Sequence, residues 1–199
     1  MDTLINCSKE APDLLKGQKI GFLGGGAMGE ALITGLLRGG LVEPGAVTVS
    51  DVSQGRLDYL QNKLGVRTAA ENGTVVKEAD IIILAVKPHL IAPVLKEAAP
   101  LARPEQTYIS IAAGITTGMM ESCLAGPIPV LRVMPNTPCL VGAGASAVSP
   151  GKYASRESME KALAILAGAG VAVEVPESLM EPVTALSGSG PAYMFVILE

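Results

Sequence analysis

The segment Gly24-Gly25-Gly26-Ala27-Met28-Gly29 satisfies the spacing G-x-G-x-x-G. In that pattern the first glycine permits a tight turn, the second lets backbone approach a pyrophosphate, and the third allows a helix to pack closely on a sheet. The N–H groups opening that helix, at the positive end of its dipole, would hold the phosphates. Context supports dinucleotide binding: a short apolar run, Lys19 to Leu23, precedes the glycines, and Met28, Ala31, Leu32, Gly35 and Leu36 follow at helical spacing. The competing reading is a turn that needs glycine for geometry alone. Asp51 lies 22 residues after Gly29 at the end of the next predicted strand, where an acid would bond the adenosine ribose 2′-hydroxyl and favour NAD. Ser50, Ser53 and Arg56 argue the opposite, since hydroxyls with a guanidinium one turn later would hold the 2′-phosphate of NADP. A plain helix cap with a solvated Arg56 accounts for the same residues, so cofactor choice stays open.

Three further runs end predicted elements where ligands collect in open α/β sheets. Ala85-Val86-Lys87-Pro88 closes a strand and offers Lys87 to cofactor or substrate charge, or simply to solvent. Ala112-Ala113-Gly114 and Met134-Pro135-Asn136-Thr137-Pro138 are small or bent enough to let a ligand approach backbone, with Asn136 as a neutral hydrogen-bonding group or as part of a rigid turn. Leu186-Ser187-Gly188-Ser189-Gly190-Pro191-Ala192-Tyr193 joins two hydroxyls, two glycines and a proline suited to the first turn of a helix; it reads as an anion-friendly helix entrance or as a helix break. His89, the single histidine, has no serine or acid at motif spacing and reads as a surface residue. With Cys7, Cys123 and Cys139 scattered, no metal site and no catalytic triad is expected.

Strand and helix patterns alternate around these runs. Val47–Ser50 is a second strand, followed by a helix striped by Leu57, Leu60 and Leu64 and ended by Gly65. Ile81–Val86 is a continuous apolar run, as expected of a strand covered on both faces in a parallel sheet. Strands follow at Tyr108–Ala112, Val130–Met134, Ala145–Val148 and Val171–Val175, with helices at about 90–98, 117–125 and along Met159 to Leu166. The fold class is α/β, a doubly wound Rossmann-like sheet. Residues 1–18 read as a loose extension, 19–176 as the NAD(P)-binding domain, and 177–199 as helical; the family resemblance set out below implies that this last stretch is the start of a helical dimerisation domain. A final helix carrying Tyr193, Phe195, Val196 and Leu198 is too short to stand without packing.

The 199 residues are 49% apolar and 17% charged, which excludes a disordered tail. A net charge of −4, with no Trp, four Tyr and two Phe, supplies neither the basic stripe nor the stacking aromatics of a nucleic-acid binder. No signal-peptide run and no apolar stretch of membrane-spanning length is evident, so no membrane role is expected and the cytoplasm is the expected compartment.

Phe22–Gly29, Ala85–Pro88, Ala112–Gly114, Arg132–Pro138 and Leu186–Tyr193, in this order and spacing, resemble pyrroline-5-carboxylate reductase from about Lys19 to the last residue. The resemblance implies an oxidoreductase that reduces the cyclic imine of 1-pyrroline-5-carboxylate to L-proline with NADPH or NADH, the last step of proline biosynthesis, in a homo-oligomer. It implies that the dinucleotide lies along Leu23, Gly24, Gly25, Gly26, Ala27, Met28 and Gly29, at the end of the second strand with Ser50, Asp51 and Arg56, and against Asn72, Ala85, Val86, Lys87, Pro88, Ile111, Ala112 and Ala113. Asn136 would stand near the nicotinamide, and backbone N–H groups at Ser187, Gly188, Ser189 and Gly190 would meet the substrate carboxylate. Asp51 stands where many members carry Ser or Asn. Family members continue into an all-helical domain that interlocks with a partner subunit and carries the candidate proton-donating hydroxyl, so no catalytic residue is assigned here and little turnover is expected of 1–199 alone. A β-hydroxyacid dehydrogenase is the competing enzyme class; it would need an acid–base lysine in the interdomain helix, and none occurs between Pro176 and Glu199. A catalytically incomplete NAD(P)-binding fragment is the remaining alternative.

Overall fold

A computed structural model of the chain describes residues 11–199. Chain order in the first half is α1 (Ala11–Leu15), β1 (Ile20–Leu23), α2 (Ala27–Arg38), β2 (Val47–Ser50), α3 (Gln54–Leu64), β3 (Arg67–Ala69), α4 (Asn72–Glu78), β4 (Ile81–Leu84) and α5 (Ile91–Ala98). The second half contributes β5 (Thr107–Ser110), α6 (Thr117–Cys123), β6 (Val130–Met134), β7 (Gly144–Pro150), α7 (Arg156–Ala167), β8 (Gly170–Glu174), α8 (Met180–Val183) and α9 (Gly190–Leu198), with a π-helical turn at Thr184–Gly188. One sheet holds all eight strands in the order β3-β2-β1-β4-β5-β6-β7-β8.

The apolar runs of β1 and β4 are buried throughout because each strand feeds two cores. Ile81 and Ile83 join Leu32, Leu36 and Leu163 on the face covered by α1, α2 and α7, while Ile82 and Leu84 join Val75, Leu95 and Met120 on the face covered by α4, α5 and α6. α2 and α7 cross at Gly35 and Gly168, where a Cβ on Gly35 would lie 2.6 Å from the Gly168 carbonyl oxygen.

The structure corrects the sequence reading in three places. The chain from Gly65 to Ile81 holds β3 and α4, which no sequence pattern announces because a three-residue, half-exposed edge strand shows no apolar alternation. The sheet is mixed: β1 to β6 run parallel, β7 is antiparallel to β6, and β8 is parallel to β7. Met134 and Gly144 are joined by a short 3-10 turn at Thr137–Val141, too brief for the crossover of a dozen or more residues that a parallel return requires. Finally, part of the expected loose extension is α1, whose Leu15 is buried in the α2–α7 core; residues 1–10, with Cys7, lie outside the described residues.

Candidate dinucleotide site

Strand order reverses between β1 and β4, and the glycine turn sits at the carboxyl end of that pair. Gly24 donates its N–H to the Ser50 carbonyl at 2.8 Å, and Ala85 donates to Leu23 at 2.8 Å, so the turn is fixed from both flanking strands. Gly24 has φ +101°, and a Cβ there would lie 2.6 Å from the Ala85 carbonyl oxygen. A Cβ on Gly29 would meet the Gly24 carbonyl oxygen at 3.0 Å, the close approach of helix to turn that the spacing called for. Gly26 differs: its φ is −65° and nothing lies within 4 Å of an added Cβ. It needs no glycine for its own backbone, and the open flank is where a phosphate would approach. The first intrahelical bond runs from the Glu30 N–H to the Gly26 carbonyl at 2.9 Å, leaving the N–H groups of Ala27, Met28 and Gly29 ahead of it. Loop and helix end fit a dinucleotide's diphosphate.

At the end of β2 the candidates divide. Asp51 accepts from Gly25 N–H at 2.8 Å and from Ser53 N–H at 2.9 Å, so its carboxylate stands beside the glycine turn. Ser50 is buried, with its hydroxyl 2.7 Å from Asn72 Oδ1 and 3.3 Å from the Phe22 carbonyl. The expectation that Ser50 meets a ligand through its hydroxyl is therefore corrected, because strand alternation turns that side chain toward α4. Asn72 is likewise held, donating to Glu97 Oε2 at 3.0 Å. Arg56 donates to the Gly25 carbonyl and pairs with Glu30, so it is not the free cation the sequence offered.

On the other flank Ala85 and Val86 are half-buried and Lys87, Pro88 and His89 exposed, while Ile111 donates to the Leu84 carbonyl at 3.2 Å and so borders the same edge with Ala112 and Ala113. Asn136 uses both ends of its amide: Ala145 N–H donates to Oδ1 at 2.9 Å, and Nδ2 donates to the Ser187 hydroxyl at 3.2 Å. The Ser187–Gly190 run bridges the π-helical turn and the last helix: Ser187 and Gly188 close the π turn, Ser189 follows it, and α9 opens at Gly190 with Pro191 in its first turn. Ser189 N–H is engaged by the Thr184 carbonyl at 3.0 Å, which withdraws that one N–H from a ligand, and the two serine hydroxyls are further polar groups of the run.

Residues the sequence reading left without a role organise this edge. Arg132 on β6 is 3% exposed and pairs with Glu181 at 2.8 Å and Glu177 at 3.5 Å; Glu177 also accepts from Thr117 N–H at 2.8 Å and its hydroxyl at 2.7 Å. The Met134 methyl lies against Gly188. Arg132, Met134 and Asn136, alternate residues along one line, thus seat the segment from Glu177 to Gly188. The i, i+4 spacing of the two glutamates was the available signal. Among the described residues no three His, Cys, Asp or Glu side chains gather as metal ligands, and no helix is long and apolar enough to cross a membrane.

The family model for NADP oxidoreductase, coenzyme F420-dependent, matches residues 19–114. A pyrroline-5-carboxylate reductase of Methanosarcina acetivorans is 45% identical over 185 residues, 93% of this chain and 68% of that protein. The chain belongs to the pyrroline-5-carboxylate reductase family. The reductase of Escherichia coli is 37% identical over 92% of the chain and 68% of its own length. The solved reductase of Coxiella burnetii superposes with a TM-score of 0.86 at 36% identity, over 90% of this chain and 67% of that one. A Plasmodium falciparum pyrroline carboxylate reductase solved with NADP bound gives 0.82 at 29%, over 91% and 66%. The chain thus spans about two thirds of these reductases and carries their Rossmann-like NAD(P)-binding domain. Prephenate dehydrogenase of Aquifex aeolicus, at 14% identity and TM-score 0.73, shares the fold alone.

Proposed function

We propose that this chain is the nucleotide-binding part of an enzyme reducing 1-pyrroline-5-carboxylate to L-proline with NADH or NADPH. The observation that carries the reading is the asymmetry of the glycine turn: Gly24 and Gly29 are enclosed by backbone, while Gly26 is open at the mouth of α2. When bound, the nicotinamide supplies hydride to the C=N carbon. The chain's task is orientation. Gly24–Gly29 and the first turn of α2 hold the diphosphate, Ala85–Pro88 and Ile111–Ala113 border the nicotinamide half, and Asn136 is held rigid beside it. The Ser187 and Ser189 hydroxyls serve the substrate carboxylate. The exposed apolar side chains of α9, Tyr193 to Leu198, support a homo-oligomer, and the unbonded thiols of Cys123 and Cys139 support a reducing cytoplasm.

Calorimetric titration of the chain with NADH and NADPH, followed by an assay of nicotinamide oxidation with 1-pyrroline-5-carboxylate, tests the reading. Saturable binding of either nucleotide, weakened by about 10- to 100-fold in Gly26→Ala, is the expected result. Failure of both to bind removes it.

A further inference from the structure

Beside the glycine turn lies a compact charged cluster that the phosphate-binding backbone does not use. Glu30, in the first turn of α2, faces three residues of α3 at helical spacing, Arg56, Tyr59 and Lys63. Arg56 pairs with Glu30 Oε2 and donates to the Gly25 carbonyl. Lys63 Nζ lies 2.8 Å from Glu30 Oε1 and 2.7 Å from the Tyr59 hydroxyl, which itself donates to Glu30 at 3.2 Å. The Arg56 guanidinium lies over the Tyr59 ring, 4.9 Å from its centroid, while Lys63 sits at the hydroxyl edge of the same ring. Partial burial raises the Glu30 carboxyl, but its bonds to Lys63 and Arg56, with Tyr59, outweigh this and bring it down to about 2. Glu30 is an anion throughout the working range.

In this fold the adenosine ribose of a dinucleotide reaches the end of β2, where an acid accepts from the ribose hydroxyls and cations receive a 2′-phosphate. The groups found there favour one of the two. Asp51 is fixed by two backbone N–H groups and keeps lone pairs for a hydroxyl donor. Ser50 points inward. The two nearby cations already share one carboxylate and one tyrosine, Arg56 over its ring and Lys63 at its hydroxyl. A 2′-phosphate, which adds close to two negative charges, would meet Asp51 and Glu30 before it met a free cation. Arg56 would have to leave Glu30 and the loop carbonyl to reach it.

We propose that Glu30 is a specificity-determining residue: by holding Arg56 and Lys63, and together with Asp51, it makes this chain select a dinucleotide with a free 2′-hydroxyl over its 2′-phosphorylated counterpart. The proposal rests on the glycine turn being the dinucleotide site. It is tested on the 199-residue chain by calorimetric titration with NADH and NADPH at low and high salt, for wild type, Glu30→Gln and Asp51→Ser, with circular dichroism melts to establish folding.

Wild type is expected to bind NADH at least about tenfold more tightly than NADPH. Glu30→Gln should strengthen NADPH binding by about three- to tenfold, the scale of freeing one charge-assisted contact, with NADH changed by less than about twofold. Asp51→Ser should weaken NADH and strengthen NADPH. Added salt should shrink the discrimination. Tighter NADPH binding by wild type, or a Glu30→Gln variant that shifts both nucleotides equally, overturns the proposal while leaving the site in place. Binding of neither nucleotide overturns the site as well.

Discussion

Replacing two glycines of one turn by alanine should have opposite consequences. At Gly24 the added Cβ must tolerate φ +101°, a conformation costing about 1–3 kcal/mol, and must displace the Ala85 carbonyl, which it would approach to 2.6 Å. Ala85 is tied to Leu23, so relief requires moving the ends of β1 and β4 together, at about 1–3 kcal/mol more. The sum, about 4 kcal/mol, is a large part of a typical stability of about 5–15 kcal/mol and should lower the melting midpoint by about 8–16 °C. At Gly26 the backbone is one any residue adopts and the space is empty. Losing glycine from an N-cap costs a few tenths to about 1 kcal/mol, and the reduced freedom of the unfolded chain offsets much of this, so the midpoint should move by less than about 3 °C. The alanine methyl would instead occupy the phosphate approach. Removing one or two charge-assisted N–H contacts, at about 1.5–3 kcal/mol in all, weakens nucleotide binding by about 10- to 100-fold. Circular dichroism melts and nucleotide titration of both variants give the two numbers separately. A Gly26→Ala protein that binds nucleotide like wild type would refute the reasoning, since the phosphate would then enter elsewhere.

Arg132→Met removes a buried cation from two acids that both reach solvent, so the fold should survive with a loss of about 1–3 kcal/mol, while hydrogen exchange in 177–189 rises and that in β1 and β4 does not. Asn136→Ala should loosen the same segment from its other end; unchanged exchange around Ser187 would remove the assigned role. Gly35→Ala forces α2 and α7 apart at their crossing and should cost about 2–4 kcal/mol in a urea melt, with nucleotide affinity measured on the folded fraction retained. Glu30 governs part of the acid limb of stability. Its carboxyl is held at about 2 against an ordinary 4.5, so its contribution is complete above about pH 4.5 and is lost as pH falls toward 2. Discounted for solvent, this is about 1–2 kcal/mol, and Glu30→Gln should flatten the melting profile over that window. An identical acid limb in both proteins contradicts the assignment.

Much of the site was legible in the residues because its elements have strong periodicity. The β1–turn–α2 unit is bracketed by an apolar run and a helical stripe, and Ile81–Leu84 admits no partly solvated reading. The direction of β7 was not written in its own residues, only in the shortness of the path from Met134 to Gly144. β3 was lost because an edge strand of Arg67, Thr68 and Ala69 has no buried face to pattern. Ser50 misled for a local reason: Val47 and Val49 face one core, so the alternation sends Ser50 the other way, toward Asn72. Arg56 and Glu30 lie 26 residues apart, and no local pattern reveals that one neutralises the other.

The seating of residues 177–188 along β6 has a practical corollary for protein engineering. A strand bonded on both sides cannot slide, so any polypeptide grafted after Glu199 inherits its heading from the nucleotide-binding half and not from its own sequence. Chimeras between reductases of this family should therefore be spliced beyond Leu198. A junction falling between Arg132 and Glu181 would separate one parent's arginine from the other's glutamates and leave the graft pointing nowhere in particular.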